Sequence, residues 1–277
     1  MRVAFQGERG AFSTEAVRRF LGDDVELAPC ASFEEVFRRL DRGEADRAVL
    51  PMENTLAGSV HENFDLLLRY RMAILAETQV RIVHNLIAPP GVDFKHVRRV
   101  FSHPVALNQC RTFFRKHSRI APVSFYDTAG SVKMLMEQRP PDAAAIAPAA
   151  ASTIYGAKTL MRGLEDDKEN FTRFFLLART RRGLDISRAS KTSIVFTTPN
   201  KPGALFRCLA VLALREINLV KIESRPLRGK PWEYLFYLDF LGRPGSGPGD
   251  KEIKNALRHL AEMTDMLRVL GSYEVLK

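Results

Sequence analysis

The first part of the chain alternates short apolar runs with amphipathic segments, and that alternation leaves few folds open. "RVAF" (Arg2–Phe5), "VELAPC", "RAVLPM", "VRRVFS", "APVSFY" and "AAAIA" read as strands. Between them lie "TEAVRRFLG", "SFEEVFRRLDRG", "VHENFDLLLRY", "PVALNQCRTFFRKH" and "AGSVKMLMEQ", which read as helices. Their ends carry signals: Ser13 as an N-cap, Gly22 and Gly43 as stops, and capping boxes pairing Ser32 with Glu35 and Ser59 with Glu62. Strands that alternate with helices build parallel sheets with crossover helices. The β-rich run "AILAETQVRIVHNLIAP" (Ala73–Pro89) has no helix signals and is expected to form a pair of crossing strands between two lobes.

A polar, basic and weakly periodic stretch, "RTRRGLDISRAS" (Arg179–Ser190), reads as a linker. Beyond it the order is strand, helix, strand, strand, helix, strand, which predicts a ferredoxin-like domain, with "RGKP" as the turn between its middle strands. The expected division is residues 1–180 and 190–277. A chain of 277 residues fits more than one core.

The net charge of +10 suits an anionic partner, but the lysines and arginines are dispersed and no zinc-finger spacing or RNP-like motif accompanies them. Small anions are therefore favoured over nucleic acid. Three distant cysteines, Cys30, Cys110 and Cys208, argue against a disulfide scaffold or zinc site and for a reducing cytoplasm. The N-terminus lacks the apolar core of a signal peptide, and no run of about 18 apolar residues predicts a membrane span.

Four loops share one design: a strand ends, a short polar or glycine-bearing loop follows, and a helix begins. They centre on "GERGAFS", "ENTLAGS", "SHP" and "DTAGS". Strand ends in open α/β sheets face a common crevice, and helix N-termini offer unpaired N–H groups there. The convergence predicts a site for a carboxylate or phosphate between two lobes. His103 and Ser59 are equally explained as cap-region residues, and Glu53 either as an acid or as a partner for an arginine. No His/Asp/Glu group has metal-ligand spacing. In "KENFTRFFLLA" a hydroxyl and a guanidinium, Thr172 and Arg173, stand at the mouth of an otherwise apolar strand.

Together, "LPMENTLAGSV", "FSHPVALNQC", "DTAGSV" and "ENFTRFFLLA" resemble the prephenate dehydratase family, and "KPGAL" and "KIESRP" resemble the phenylalanine-binding motifs of the ACT domain fused to it. Val105 departs from the pattern, where the family often has Gln. The resemblance implies a two-lobed catalytic domain like a type 2 periplasmic binding protein, with lobe one at about 1–77 and 160–180 and lobe two at about 78–159. It implies a decarboxylating dehydration of prephenate without metal or organic cofactor, fed back upon by L-phenylalanine, in a monofunctional chain that forms a dimer or tetramer. Its motif marks Thr172 as catalytic; Arg173, suited to a carboxylate contact, Asn54, Ser102 and Gln109 are expected to act with it, and Thr55, Gly58, His103, Thr128 and Phe174 to bind substrate. Gly203, Ala204, Leu205, Glu223, Ser224, Arg225 and Pro226 are marked for phenylalanine. Read without the resemblance, Thr172 is a β-favouring strand residue, Arg173 a snorkelling one, and "KPGAL" a helix cap. An arogenate dehydratase and a non-enzymatic sensor remain alternative readings. Strand alternation leaves open which of Thr172 and Arg173 faces substrate.

Overall fold

The computed structural model describes residues 1–180, 186–227, 229–245 and 248–276. Contacts group the chain into two compact units: Met1–Tyr70 with Thr78–Arg179, and Arg71–Glu77 with Thr180–Leu276. Residues 181–185 of the expected linker lie outside the described residues.

The first unit opens with β1 (Arg2–Gln6), α1 (Phe12–Leu21), β2 (Glu26–Cys30), α2 (Phe33–Asp41), β3 (Arg47–Asn54), β4 (Gly58–Ser59) and α3 (His61–Tyr70). Strand β5 (Ala73–Arg81) follows, its residues up to Glu77 grouping with the second unit. Then come β6 (Asn85–Ala88), β7 (Arg99–Ser102), α4 (Pro104–Asn108), α5 (Arg111–Lys116), β8 (Ala121–Ser124), α6 (Thr128–Gln138), β9 (Ala143–Ala147), α7 (Ala149–Tyr155), β10 (Lys158–Arg162) and β11 (Phe171–Ala178).

Two sheets result, as the alternation predicts. In the first, β1 pairs in parallel with β2 and β3, and β11 returns antiparallel to β3. Val3, Ala4, Phe5, Val49 and Leu50 are wholly buried there. The second runs β10-β6-β9-β7-β8. Alternation on β9 divides its core: Ala143, Ala145 and Ala147 pack with Ala129, Val132 and Leu135 of α6, whereas Ala144 and Ile146 join Leu86, Val100 and Phe113 on the other face. Each fully buried large aliphatic or aromatic side chain stabilises by about 1.5–3 kcal/mol relative to exposure.

Three local expectations are corrected. The helix read through "PVALNQCRTFFRKH" is two helices, because Asp166 ends one and starts the other. Its N–H donates to the Gln109 carbonyl (2.7 Å), and its carboxylate accepts from the N–H groups of Arg111 and Thr112 (2.9 Å each). The α1 N-cap is Ala11 rather than Ser13, which is buried within the first turn. Ser59 pairs with Glu53 in the β3–β4 hairpin, and α3 starts at His61. The Ser32–Glu35 box forms: Glu35 N–H donates to Ser32 Oγ (3.2 Å), and the Glu35 carboxylate accepts from Ala31 N–H (2.9 Å). The sequence reading did not anticipate α7 and β10. Because β10 pairs with β6, the second sheet extends to Arg162.

The second unit holds β12 (Lys191–Thr197), α8 (Ala204–Ala213), β13 (Leu219–Pro226), β14 (Tyr234–Leu241), α9 (Pro248–Met263) and β15 (Met266–Leu276). Its strand order, β13-β14-β12-β15, is the ferredoxin-like arrangement expected from the sequence. A buried ion pair, Lys191 to Glu77 (2.6 Å), ties β12 to the start of β5 within this unit. Arg228 of the "RGKP" turn lies outside the described residues, and Leu227 N–H closes that turn on the Glu233 carbonyl (2.8 Å).

Candidate active site

All four loops reach one cavity of about 360 Å³ in the first unit. Ala11, Phe12 and Ser13 come from the turn after β1 and the first residues of α1, and Asn54, Ala57, Gly58 and Ser59 from the end of β3 and its hairpin with β4. His103, Val105 and Ala106 follow β7, and Asp127 and Thr128 begin α6. The C-terminal ends of parallel strands thus supply the site, as open α/β sheets require. Glycine is needed at two places. A Cβ on Gly7 would stand 2.6 Å from the Asp127 carboxylate, and Gly58 holds φ at +81° where the hairpin reverses.

Asn54 is the hub. Its Oδ1 accepts from the N–H groups of Leu56 (3.0 Å) and Ala57 (2.8 Å), which fixes the amide's orientation. Its Nδ2 therefore donates, to Asn170 Oδ1 (2.7 Å), the Phe171 carbonyl (3.0 Å) and Thr172 Oγ1 (3.0 Å). Gln109 Nε2 donates to Asn54 Oδ1 (3.2 Å), and Gln109 Oε1 meets His84 Nε2 (2.8 Å).

The strand answers the question its sequence raises. Thr172 and Phe174, two residues apart on β11, both line the cavity. Arg173 is not among the lining residues. Its guanidinium lies over the Phe175 ring (5.1 Å to the centroid) and 3.6 Å from Glu53. Alternation separates the two, and the register shift between Arg173 and Phe174 leaves both cavity-facing side chains in place.

Of the other expected site residues, Asn54, Gly58, His103, Gln109 and Thr128 line the cavity. Ser102 and Thr55 are not among its lining residues. The fully buried Ser102 donates to the Ile146 carbonyl (2.6 Å), joining β7 to β9. Thr55 donates to the Glu169 carbonyl (2.8 Å) and accepts from Phe171 N–H (3.0 Å), so it braces the start of β11. Asp127 and His84 are among the polar lining residues to which the sequence reading assigned no site role. Asp127 caps α6 by accepting from Gly130 N–H (2.7 Å), and burial pushes its pKa above the ordinary carboxylate value. His84 is buried, and desolvation pushes its pKa down. Desolvation lowers the pKa of His103 as well. Phe12, Phe33, Ile82 and Phe174 give the cavity an apolar wall, and no lysine or arginine is among its lining residues.

A larger depression of about 730 Å³ lies at the opposite ends of the second sheet's strands. Two of its polar groups are engaged elsewhere: Arg98 donates to the Lys95 and Val97 carbonyls, and Asp142 pairs with Arg99 (2.6 Å). In the second unit a cavity of about 160 Å³ is lined by Lys201, Ala204, Leu205, Trp232 and Tyr234, among others. Gly203 precedes α8 with φ at +74°. Glu223, Ser224, Arg225 and Pro226 end β13 and do not line this cavity, and Glu223 lies 3.3 Å from Lys221.

Fold and site define a two-lobed protein built around an amide-rich cleft, with a ferredoxin-like module on the same chain. Residues 3–182 match the prephenate dehydratase family and residues 192–258 the ACT domain. Arogenate dehydratase/prephenate dehydratase 2, chloroplastic, of Arabidopsis thaliana is 44% identical over 284 residues, covering 99% of this chain and 73% of the relative. The prephenate dehydratase of Arthrobacter aurescens, solved in complex with L-Phe, is 31% identical with a TM-score of 0.88, covering 99% of this chain and 90% of that one. GqqA, described as a novel type of quorum quenching acylase, is 32% identical with a TM-score of 0.89, covering 99% and 98%. The chain belongs to the prephenate dehydratase family and carries the ACT domain found with it.

Proposed function

We propose that the cavity performs the decarboxylating dehydration of prephenate to phenylpyruvate, with Thr172 assisting the leaving hydroxyl. The ring carboxylate departs as carbon dioxide, and the electrons of its C–C bond enter the ring. The C–O bond opposite breaks, and the departing hydroxide takes a proton to become water. Aromatisation drives the reaction, so the protein's tasks are to orient the dianion and supply that proton.

The observation that carries this reading is the direction of the Asn54–Thr172 hydrogen bond. Asn54 Nδ2 donates to Thr172 Oγ1, leaving the threonine's own proton free to donate into the cavity. A threonine hydroxyl is a weak acid, so it passes on a proton replenished from water or a neighbour. The aromatic wall faces the ring. The first turn of α1, which has no side-chain cap, presents N–H groups suited to a carboxylate. Gln109, Thr128, His103 and Gly58 complete the polar contacts, while Ser102 and Thr55 support the frame. Assaying purified protein for phenylpyruvate and carbon dioxide released from prephenate tests the proposal, and no turnover would reject it.

Arogenate, with an ammonium in place of the keto group, is a second reading. It is favoured by the Asp127 carboxylate in the cavity wall and by the names of the plant relatives. Parallel turnover measurements with the two substrates decide between them. Arg173→Met should lower the denaturation midpoint and leave KM for prephenate close to wild type, since the guanidinium lies off the cavity. A large rise in KM would restore Arg173 to substrate binding.

L-phenylalanine as inhibitor, bound where Gly203–Leu205 and Glu223–Pro226 of paired ACT domains meet, is the regulation we propose. Val220 and Ile222 are exposed on β13, an edge strand of the second unit's own sheet, a surface suited to a second copy and to a dimer or tetramer. The chain's single tryptophan, Trp232, is 82% exposed beside Leu205. Phenylalanine should therefore shift its fluorescence to shorter wavelength as turnover falls. Calorimetry showing no binding to the oligomer would defeat this regulation. Three buried free thiols fit residence in the reducing cytoplasm, whereas the Arabidopsis relative is chloroplastic by name. Among the described residues no helix is long and apolar enough to cross a membrane.

A further inference from the structure

His84 stands in the apolar run between β5 and β6, and nothing about its spacing marks it. The structure holds it from several sides. Its backbone N–H donates to the Glu165 carboxylate (2.8 Å), and its carbonyl accepts from Leu164 N–H (2.9 Å). Phe12 meets its ring edge-on, with centroids 5.7 Å apart. Only 1% of the residue is exposed, and among the described residues Nδ1 has no hydrogen-bond partner. A buried imidazole with one committed nitrogen calls for an explanation beyond packing.

The amide orientations supply it. Leu56 and Ala57 fix Asn54 Oδ1 as an acceptor, so the Gln109 atom facing it is the donor Nε2. Gln109 Oε1 then faces His84 and must accept, which makes His84 Nε2 the donor. The bonds run one way: His84 N–H to Gln109 C=O, Gln109 N–H to Asn54 C=O, Asn54 N–H to Thr172 Oγ1. Donors aligned in series polarise one another. If Gln109 flipped, its carbonyl would face that of Asn54.

We propose that His84 is a positioning residue: its Nε2–H fixes the Gln109 amide, through it Asn54, and so the direction in which Thr172 offers its proton. The inference rests on the reading of Thr172 given above. Glu165 and Asp166 are the frame of this relay, since one anchors the His84 backbone and the other the Gln109 backbone.

The test compares His84→Leu, which removes the donor, with His84→Gln, whose amide nitrogen can take the place of Nε2. In His84→Leu, kcat with prephenate should fall by up to about 100-fold with little change in KM, the scale expected from a small misplacement of reacting groups. His84→Gln should restore most of that loss. In a Thr172→Val background, His84→Leu should cause little further loss, because the relay acts through the hydroxyl. Wild-type kcat in His84→Leu, or equal impairment in both variants, overturns the proposal. Side-chain amide signals of Asn54 and Gln109 in the 15N-labelled full chain provide a readout independent of turnover. They should move in His84→Leu and return in His84→Gln, and unmoved signals overturn the relay. If wild-type protein turns over neither substrate, the reading of Thr172 fails, while these signals still decide the relay.

Discussion

Thr172→Val is expected to lower kcat by about 10²- to 10⁴-fold, the usual contribution of a positioned proton-transfer group, with little change in KM. Valine keeps the shape and the β-branch, so β11 still pairs with β3 and the cavity wall persists. Only the hydroxyl changes, replaced by a methyl group. Asn54 Nδ2 loses one acceptor and keeps two, Asn170 Oδ1 and the Phe171 carbonyl. The stability loss should therefore stay near the net worth of one hydrogen bond, about 1 kcal/mol. Thr172→Ser should recover part of the rate, because its hydroxyl can still accept from Asn54. Steady-state kinetics with thermal unfolding on the same samples separates these effects. Near-wild-type kcat in Thr172→Val would remove the hydroxyl from the chemistry.

The second large effect belongs to Asn54→Asp. Six hydrogen bonds converge on Asn54, three through each side-chain atom. The substitution keeps the acceptor half and turns the donor half into an acceptor. Asn170 Oδ1 and the Phe171 carbonyl would then face a carboxylate oxygen, at about 1–3 kcal/mol for each polar group left unsatisfied. Thr172 would turn its proton toward that carboxylate and away from the cavity. Turnover should therefore fall at least as far as in Thr172→Val, now with a clear loss of stability. Urea unfolding and kcat measured together check this, and a variant both stable and active would refute the hub role.

Much of this arrangement was legible in the sequence because it is local. Strand–loop–helix patterning placed four loops at one end of two sheets, and the cavity contains residues from each. The βαββαβ order gave the ferredoxin-like unit. Thr172 drew notice as a hydroxyl at the mouth of an apolar strand. Its facing is set by tertiary placement, since alternation says that Thr172 and Arg173 differ but not which points inward. What escaped notice is non-local. His84 meets Gln109 across 25 positions, and Glu165 anchors His84 across 81. No periodicity links residues that far apart. The one available signal was an imidazole inside an apolar run, the same kind of anomaly that singled out Thr172. The break between α4 and α5 was hidden for the same reason, since Asp166, which creates it, lies 55 residues from Arg111.

Proton supply by Thr172 during ring aromatisation is the step on which the proposed reaction turns. The most direct test follows carbon dioxide and phenylpyruvate released from prephenate by wild-type protein and by Thr172→Val, with product identity checked by mass spectrometry. The wild type should release the two products in equal amounts, and the variant should lose at least about 100-fold. Equal release by both proteins, or no release by a folded wild type, would contradict the proposal.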